Sequence, residues 1–116
     1  MMSKLKNLLK KNNDEYRYPT AALCLDSGLG KDIIQRSEHI LKHAGYIVIK
    51  VINFKRNAGN DETSRMYDEM DMQVIRDADV VYGVYAEDTR TIEQSIQDAL
   101  DYARENKKHV DMLHFV

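Results

Sequence analysis

Four short apolar runs, separated by stretches whose apolar residues recur at helical spacing, constrain this chain more than any single motif does. The runs are "TAALCLD" from Thr20, "YIVIKVINF" from Tyr46, "DVVYGVY" from Asp79 and "HVDMLHF" from His109. Hydrophobicity that is continuous and does not alternate is what a strand covered on both faces needs, as in a parallel sheet. Parallel neighbours cannot be joined by a tight hairpin, and the long intervening stretches supply the crossovers they require. The resulting order, β-α-β-α-β-α-β, predicts a small flavodoxin-like or Rossmann-like α/β domain. Its sheet has four mostly parallel strands, with helices on both faces and right-handed crossovers.

The helical stretches carry their own punctuation. After the glycine loop "SGLGKD", Asp32 is expected to cap the first helix, with Gln35 completing a capping box. Ile33, Ile34, Ser37, Ile40, Leu41 and Ala44 then mark its inner face, and Gly45 stops it. A polar segment, "KRNAGNDET", precedes the second helix, where Met66, Tyr67, Met70, Val74 and Ile75 mark one side as far as Ala78. Thr91 with Gln94 forms another capping box, and Ile92, Ser95, Ile96, Ala99, Leu100 and Ala103 trace the third inner stripe. Residues 1–18 read as a terminal arm with the spacing of a short helix, in which Leu5, Leu8 and Leu9 stand among Lys4, Lys6, Lys10 and Lys11. Residues 19–116 form the α/β domain. Four strands are few for this class, so a homo-oligomer is expected to cover what one copy leaves exposed.

A length of 116 residues fits one domain with one hydrophobic core, and a hydrophobic share of 43% against 31% charged residues belongs to chains that fold. The formal net charge of -2 gives no field for a nucleic-acid backbone, so polymeric nucleic acid is not the expected partner, while a nucleotide-sized ligand remains compatible. The one cysteine, Cys24, has no internal disulfide partner, and no apolar run reaches membrane-spanning length or resembles a signal-peptide core. The expectation is a cytoplasmic protein that does not enter a membrane.

In a sheet of this kind ligands bind beyond the carboxyl ends of the strands, where the crossover direction reverses. Three segments are expected to meet there: Asp26 to Lys31, Ala86 to Arg90, and the chain near His114. The first carries Asp26, Ser27, Gly28 and Gly30, but it lacks the glycine and the Ser or Thr of a phosphate loop at Leu25 and Asp32. It also has Ile33 where a dinucleotide fingerprint needs glycine. A glycine loop opening a helix remains, able to receive an anion or a sugar hydroxyl through backbone N–H groups. Tyr85 closes the third strand, and Glu87, Asp88, Thr89 and Arg90 follow: carboxylates for ribose hydroxyls or acid–base work, an arginine for phosphate. Glu93 and Gln97 lie one turn apart on the next helix, beside Asp98. His39 and His43 have the spacing of paired helix ligands without the intervening glutamate or a third ligand, so no metal or other cofactor is implied. Cys24, inside a strand, reads as a small buried apolar residue.

The words "RDADVVYGVYAED", preceded by "RMYDEMDMQVI" and followed by "ALDYARENKKHV", resemble the nucleoside 2-deoxyribosyltransferase family. The resemblance runs over most of residues 20 to 115 and is close in wording from Tyr67 to Tyr85. It implies a flavodoxin-like, usually oligomeric domain that cleaves an N-glycosidic bond, a glutamate attacking the anomeric carbon. In the family that glutamate closes a pattern like D-x-G-x-x-x-E, whereas this chain has no glycine after Gly83. An ungapped count puts Gln97 at the nucleophile position and a shift of one residue puts Asp98 there. Glu93 serves if the loop is shorter by a turn. Asp88 matches the aspartate that orients the sugar, and Asp26, Ser27 and Gly28 match the loop beside the nucleoside. The resemblance therefore implies a nucleoside- or nucleotide-binding protein that sequesters or senses its ligand without turnover. The alternative is an active N-glycosidase or deoxyribosyltransferase using Glu93 or Asp98 with Asp88.

Overall fold

The computed structural model describes residues 18–56, 62–86 and 93–115. Of the expected features, the N-terminal arm up to residue 17, the loop residues Glu87, Asp88, Thr89 and Arg90, and Thr91 and Ile92 lie outside them. The elements are β1 (Thr20–Leu25), α1 (Lys31–His43), β2 (Ile47–Ile52), α2 (Glu62–Asp77), β3 (Val80–Ala86), α3 (Gln94–Glu105) and β4 (Val110–Phe115). The four strands form one sheet in the order β2-β1-β3-β4, every pair parallel. This is the flavodoxin-like, Rossmann-like α/β arrangement, with its switch point between β1 and β3.

Register assigns the faces. Leu23 pairs with Lys50 on one side and Tyr82 on the other, so these three side chains share a face. Lys50 reaches Glu38 of α1 at 3.5 Å, which puts α1 there. Ala22, Cys24, Val81 and Gly83 point the opposite way, where Gly83 lies against Leu100 and Ile96 of α3. That split, α1 alone on one face and α3 on the other, is what right-handed crossovers produce when the chain turns back past β1 to reach β3.

Burial follows strand position. Ala21 to Leu25 of central β1 are all essentially inaccessible, which is why that run is apolar at every position. In β3, Gly83 brings α3 close: a Cβ there would stand 2.9 Å from the Leu100 Cδ1 and 3.1 Å from the Ile96 Cγ2. Ile96, Ala99, Leu100 and Ala103 fill the inner stripe of α3 as their spacing predicts, joined by Tyr102. Tyr102 packs on Phe54 with ring centroids 5.7 Å apart and accepts a 2.6 Å hydrogen bond from Arg76 Nη1, tying α2 to α3. Among the described residues no helix is long and apolar enough to cross a membrane.

Three local expectations need correction. The N-cap of α1 is Gly30, not Asp32, with extended backbone at φ −63° and ψ 148°. Asp32 falls in the first turn, where its charge suits the positive end of the helix dipole but its side chain makes no cap. On α1 the inner face is narrower than expected: Ser37 and Leu41 are buried, while Ile40 and Ala44 are exposed. Buried Ser37 is satisfied by donating to the Ile33 carbonyl at 2.7 Å. Gly45 does stop the helix, at φ +102°.

The third correction is on α2. Ile75 is buried and Val74 packs partly on the core as expected, but Met66, Tyr67 and Met70 are more than half exposed, and Asp68 and Met72 are buried in their place. Once Ile75 and Met72 face the sheet, helical geometry puts Asp68 on their line and turns positions 66, 67 and 70 outward. The expected stripe and the inner face therefore coincide at Val74 and Ile75 and part company toward the N-terminal half of the helix.

Candidate functional site

At the carboxyl end of β1 the chain makes a turn in which the Leu29 N–H donates to the Asp26 carbonyl at 3.0 Å. Both oxygens of the Asp26 carboxylate are used. One accepts the Gly28 N–H at 2.7 Å and the other accepts the Ser95 hydroxyl at 2.7 Å. Asp26 thus joins the β1 loop to the first turn of α3 across the switch point. A Cβ on Gly28 would stand 2.9 Å from that carboxylate, so the turn needs glycine.

The other flank of the loop is held from β2. The Ser27 N–H donates to Asn53 Oδ1 at 2.9 Å, and Asn53 Nδ2 donates to Ser27 Oγ at 3.1 Å. Asn53 adopts φ +56°, a left-handed conformation that asparagine tolerates better than most residues, and this turns the chain away at the end of β2. Asn53 and Ser95 were not expected in the site. The signal for Asn53 is an asparagine directly after a β-branched run. Ser95 gives none, because its spacing reads as part of the inner stripe.

Glu93 is the N-cap residue of α3 and makes no side-chain cap hydrogen bond. Its Oε1 lies 3.9 Å from where a Gly28 Cβ would stand, so this carboxylate faces the β1 loop. Gly30 lies one short turn further along, at the start of α1. At the ends of β3 and β4, Tyr85 and His114 pair with ring centroids 5.2 Å apart.

Gln97 and Asp98 are engaged elsewhere. Gln97 donates to Asp101 at 3.1 Å, and Asp98 accepts from Gln94 at 2.8 Å, each one turn along α3. Arg56 lies on this flank, its guanidinium over the Tyr102 ring at 5.2 Å. Hydrogen bonding to Glu105 holds Arg56 above its ordinary pKa against the opposing effect of burial, and the charges of Glu105, Asp101 and Asp98 add to it. The structure therefore brings Asp26, Ser27, Gly28 and Glu93 together with Ser95 and Asn53, and aims Gln97 and Asp98 at other partners.

A second acidic feature, Asp68 and Asp71, lies on α2 on the side facing Cys24 of β1. Burial raises the Asp71 carboxyl above the ordinary aspartate range, and the neighbouring charge of Asp68 raises it further. Burial and, secondarily, Asp71 push the Cys24 thiol up to about 12, which keeps it protonated and unreactive at neutral pH. The sequence signal for Asp68 is its spacing of four and seven from Met72 and Ile75, which puts it on their line, and Asp71 lies one turn before Ile75. His39 and His43 stack at 6.0 Å, and no group of three or more His, Cys, Asp or Glu side chains able to hold a metal occurs among the described residues. Set against family models and curated proteins, the sequence matches none of either.

Proposed function

We propose that this chain binds a nucleoside- or nucleotide-derived ligand at the β1/β3 switch point and holds it without turnover, as a sequestering or sensing protein. One observation carries the reading: Glu93 faces Gly28 across the loop, while Gln97 and Asp98 are committed to neighbours along α3. A carboxylate beside a tied glycine loop can accept sugar hydroxyls, and a loop already fixed by Asp26, Ser27 and Asn53 loses little freedom on binding. Glycosidic attack asks for more, namely a carboxylate oxygen aimed at the anomeric carbon within bonding range. Gln97 has no such oxygen, and the Asp98 carboxylate is one methylene shorter than glutamate and already bonded to Gln94.

A second reading is an N-glycosidase with Glu93 as nucleophile. It is favoured by the Glu93 carboxylate making no side-chain cap hydrogen bond while facing the Gly28 loop. The deciding experiment is mass spectrometry of small molecules released on denaturing the purified protein, followed by calorimetric titration and long incubation with the matching nucleoside and nucleotide. Intact ligand, bound by the native chain and weakened by Asp26→Ala, is the expected result. Release of free base that is abolished by Glu93→Gln replaces this reading with the second one. The absence of binding by any nucleoside or nucleotide refutes both.

A further inference from the structure

We propose that a second copy of this chain docks along the outer edge of β2 and the exposed side of α2. The two β2 strands then run antiparallel about a two-fold axis, joining two four-stranded sheets into one of eight. β2 pairs with β1 on one side only, and its other edge faces no strand among the described residues. Proteins normally blunt such an edge with charge, proline or a bulge. This one carries Lys50 as its only charged residue, and that lysine lies 3.5 Å from Glu38 on the α1 face, a carboxylate that also holds Lys42 at 2.9 Å.

The side chains around the edge are apolar and open. Ile47 is 50% and Ile49 40% exposed on the α2 face, and Ile52 is 44% exposed on the α1 face. Met66, Tyr67 and Met70, turned outward by the rotation of α2, continue the patch. Between them runs a groove of about 380 Å³ lined by Thr20, Ile49, Met70, Gln73, Val74 and Asp77. At on the order of 100 Å² per side chain, the five apolar residues on the α2 side offer roughly 500 Å², within the range of a monomer's largest patch, and strand pairing along β2 with Ile52 on the other face would extend this toward the ~800 Å² per partner of a standard interface.

Self-association fits this surface better than an unrelated partner does. Antiparallel pairing of one strand with its own copy is self-complementary, and its hydrogen bonds come from backbone that both copies possess. Lys50 lies on the α1 face beside Glu38, opposite the apolar patch that Ile47 and Ile49 share with α2. Groove and protruding side chains belong to the same patch, so the flexible Met66 and Met70 of one protomer can fill the groove of the other.

Sedimentation velocity on the full chain from about 1 to 200 µM spans the range in which an interface of this size associates. The expected species has twice the 13.5 kDa mass of the chain. Ile49→Lys and Met70→Lys should each weaken dimerisation by about 100-fold or more, since each buries a charge at the interface, with far-ultraviolet circular dichroism unchanged. Ile40→Lys, at a residue 43% exposed on α1, should leave the dimer intact. If Ile49→Lys does not fold, Met70→Lys on the solvent side of α2 decides alone. A monomer at every concentration overturns the proposal, as does a dimer that survives both substitutions or is lost equally with Ile40→Lys. A monomer whose β2 amides exchange slowly also overturns it and assigns the edge to the chain's own N-terminal segment.

Discussion

Replacing Gly83 by alanine tests how α3 is held against the sheet. The added methyl would stand 2.9 Å from the Leu100 Cδ1, 2.9 Å from the Met112 Sδ and 3.1 Å from the Ile96 Cγ2. Met112 is half-buried and flexible and can swing aside. Leu100 and Ile96 are 1% and 0% exposed, and the β-branched Ile96 has few alternative rotamers, so the helix must shift. Overpacking of this kind costs about 1–3 kcal/mol, and removing a glycine from a strand returns about 0.5–1 kcal/mol of backbone entropy. The net loss is at most about 2.5 kcal/mol and centres near 1 kcal/mol, or roughly 4 °C in Tm for a chain of this size. Thermal and urea denaturation followed by circular dichroism measure it directly. Met112→Ala removes one of the three contacts, so Gly83→Ala should cost less in that background, with a coupling of about 0.5 kcal/mol or more. A Tm for Gly83→Ala equal to or above that of the unsubstituted chain refutes the close-approach argument.

Two further outcomes follow from the acidic cluster under β1. With its thiol near 12, Cys24 presents a thiolate fraction of about one in ten thousand at pH 8, so a thiol reagent should label it only after unfolding in guanidinium. Rapid labelling with native circular dichroism contradicts that burial. Asp71 has a folded-state pKa raised above its unfolded value, so its contribution is most favourable when the carboxyl is protonated and is lost as pH rises through the raised value. Asp71→Asn should therefore be more stable than the unsubstituted chain at pH 7, the gap closing as pH falls toward the ordinary aspartate value of 3.8. Thermal melts across that range would tell against the assignment if the asparagine variant were the less stable at neutral pH.

The fold was legible because strand burial leaves a plain trace in composition. The runs at Thr20, Tyr46, Asp79 and His109 became β1 to β4 with boundaries shifted by one or two residues, and Gly45 marked a true helix end. The inner face of α2 was misread toward its N-terminal half because apolar side chains were assumed to point inward. That rule fails where an edge strand leaves its helix half uncovered. The cap was placed two residues late, at Asp32, because Gly30, with no side chain to advertise a cap, is the residue at which the helix begins. In the site, the spacing of Asp26, Ser27 and Gly28 identified the loop but not the bonds that hold it. Those partners, Asn53 and Ser95, are 26 and 69 residues away in sequence, and no local pattern encodes such distances.

The hydrogen bonds from Asn53 to Ser27 and from Asp26 to Ser95 run as a crossbar over the carboxyl end of the sheet, from β2 through β1 to α3. A β1 loop braced in this way is set before any ligand arrives, so a nucleoside of the proposed kind would meet it as a key meets a fixed lock, with binding gated by diffusion and fit and not by movement of that loop.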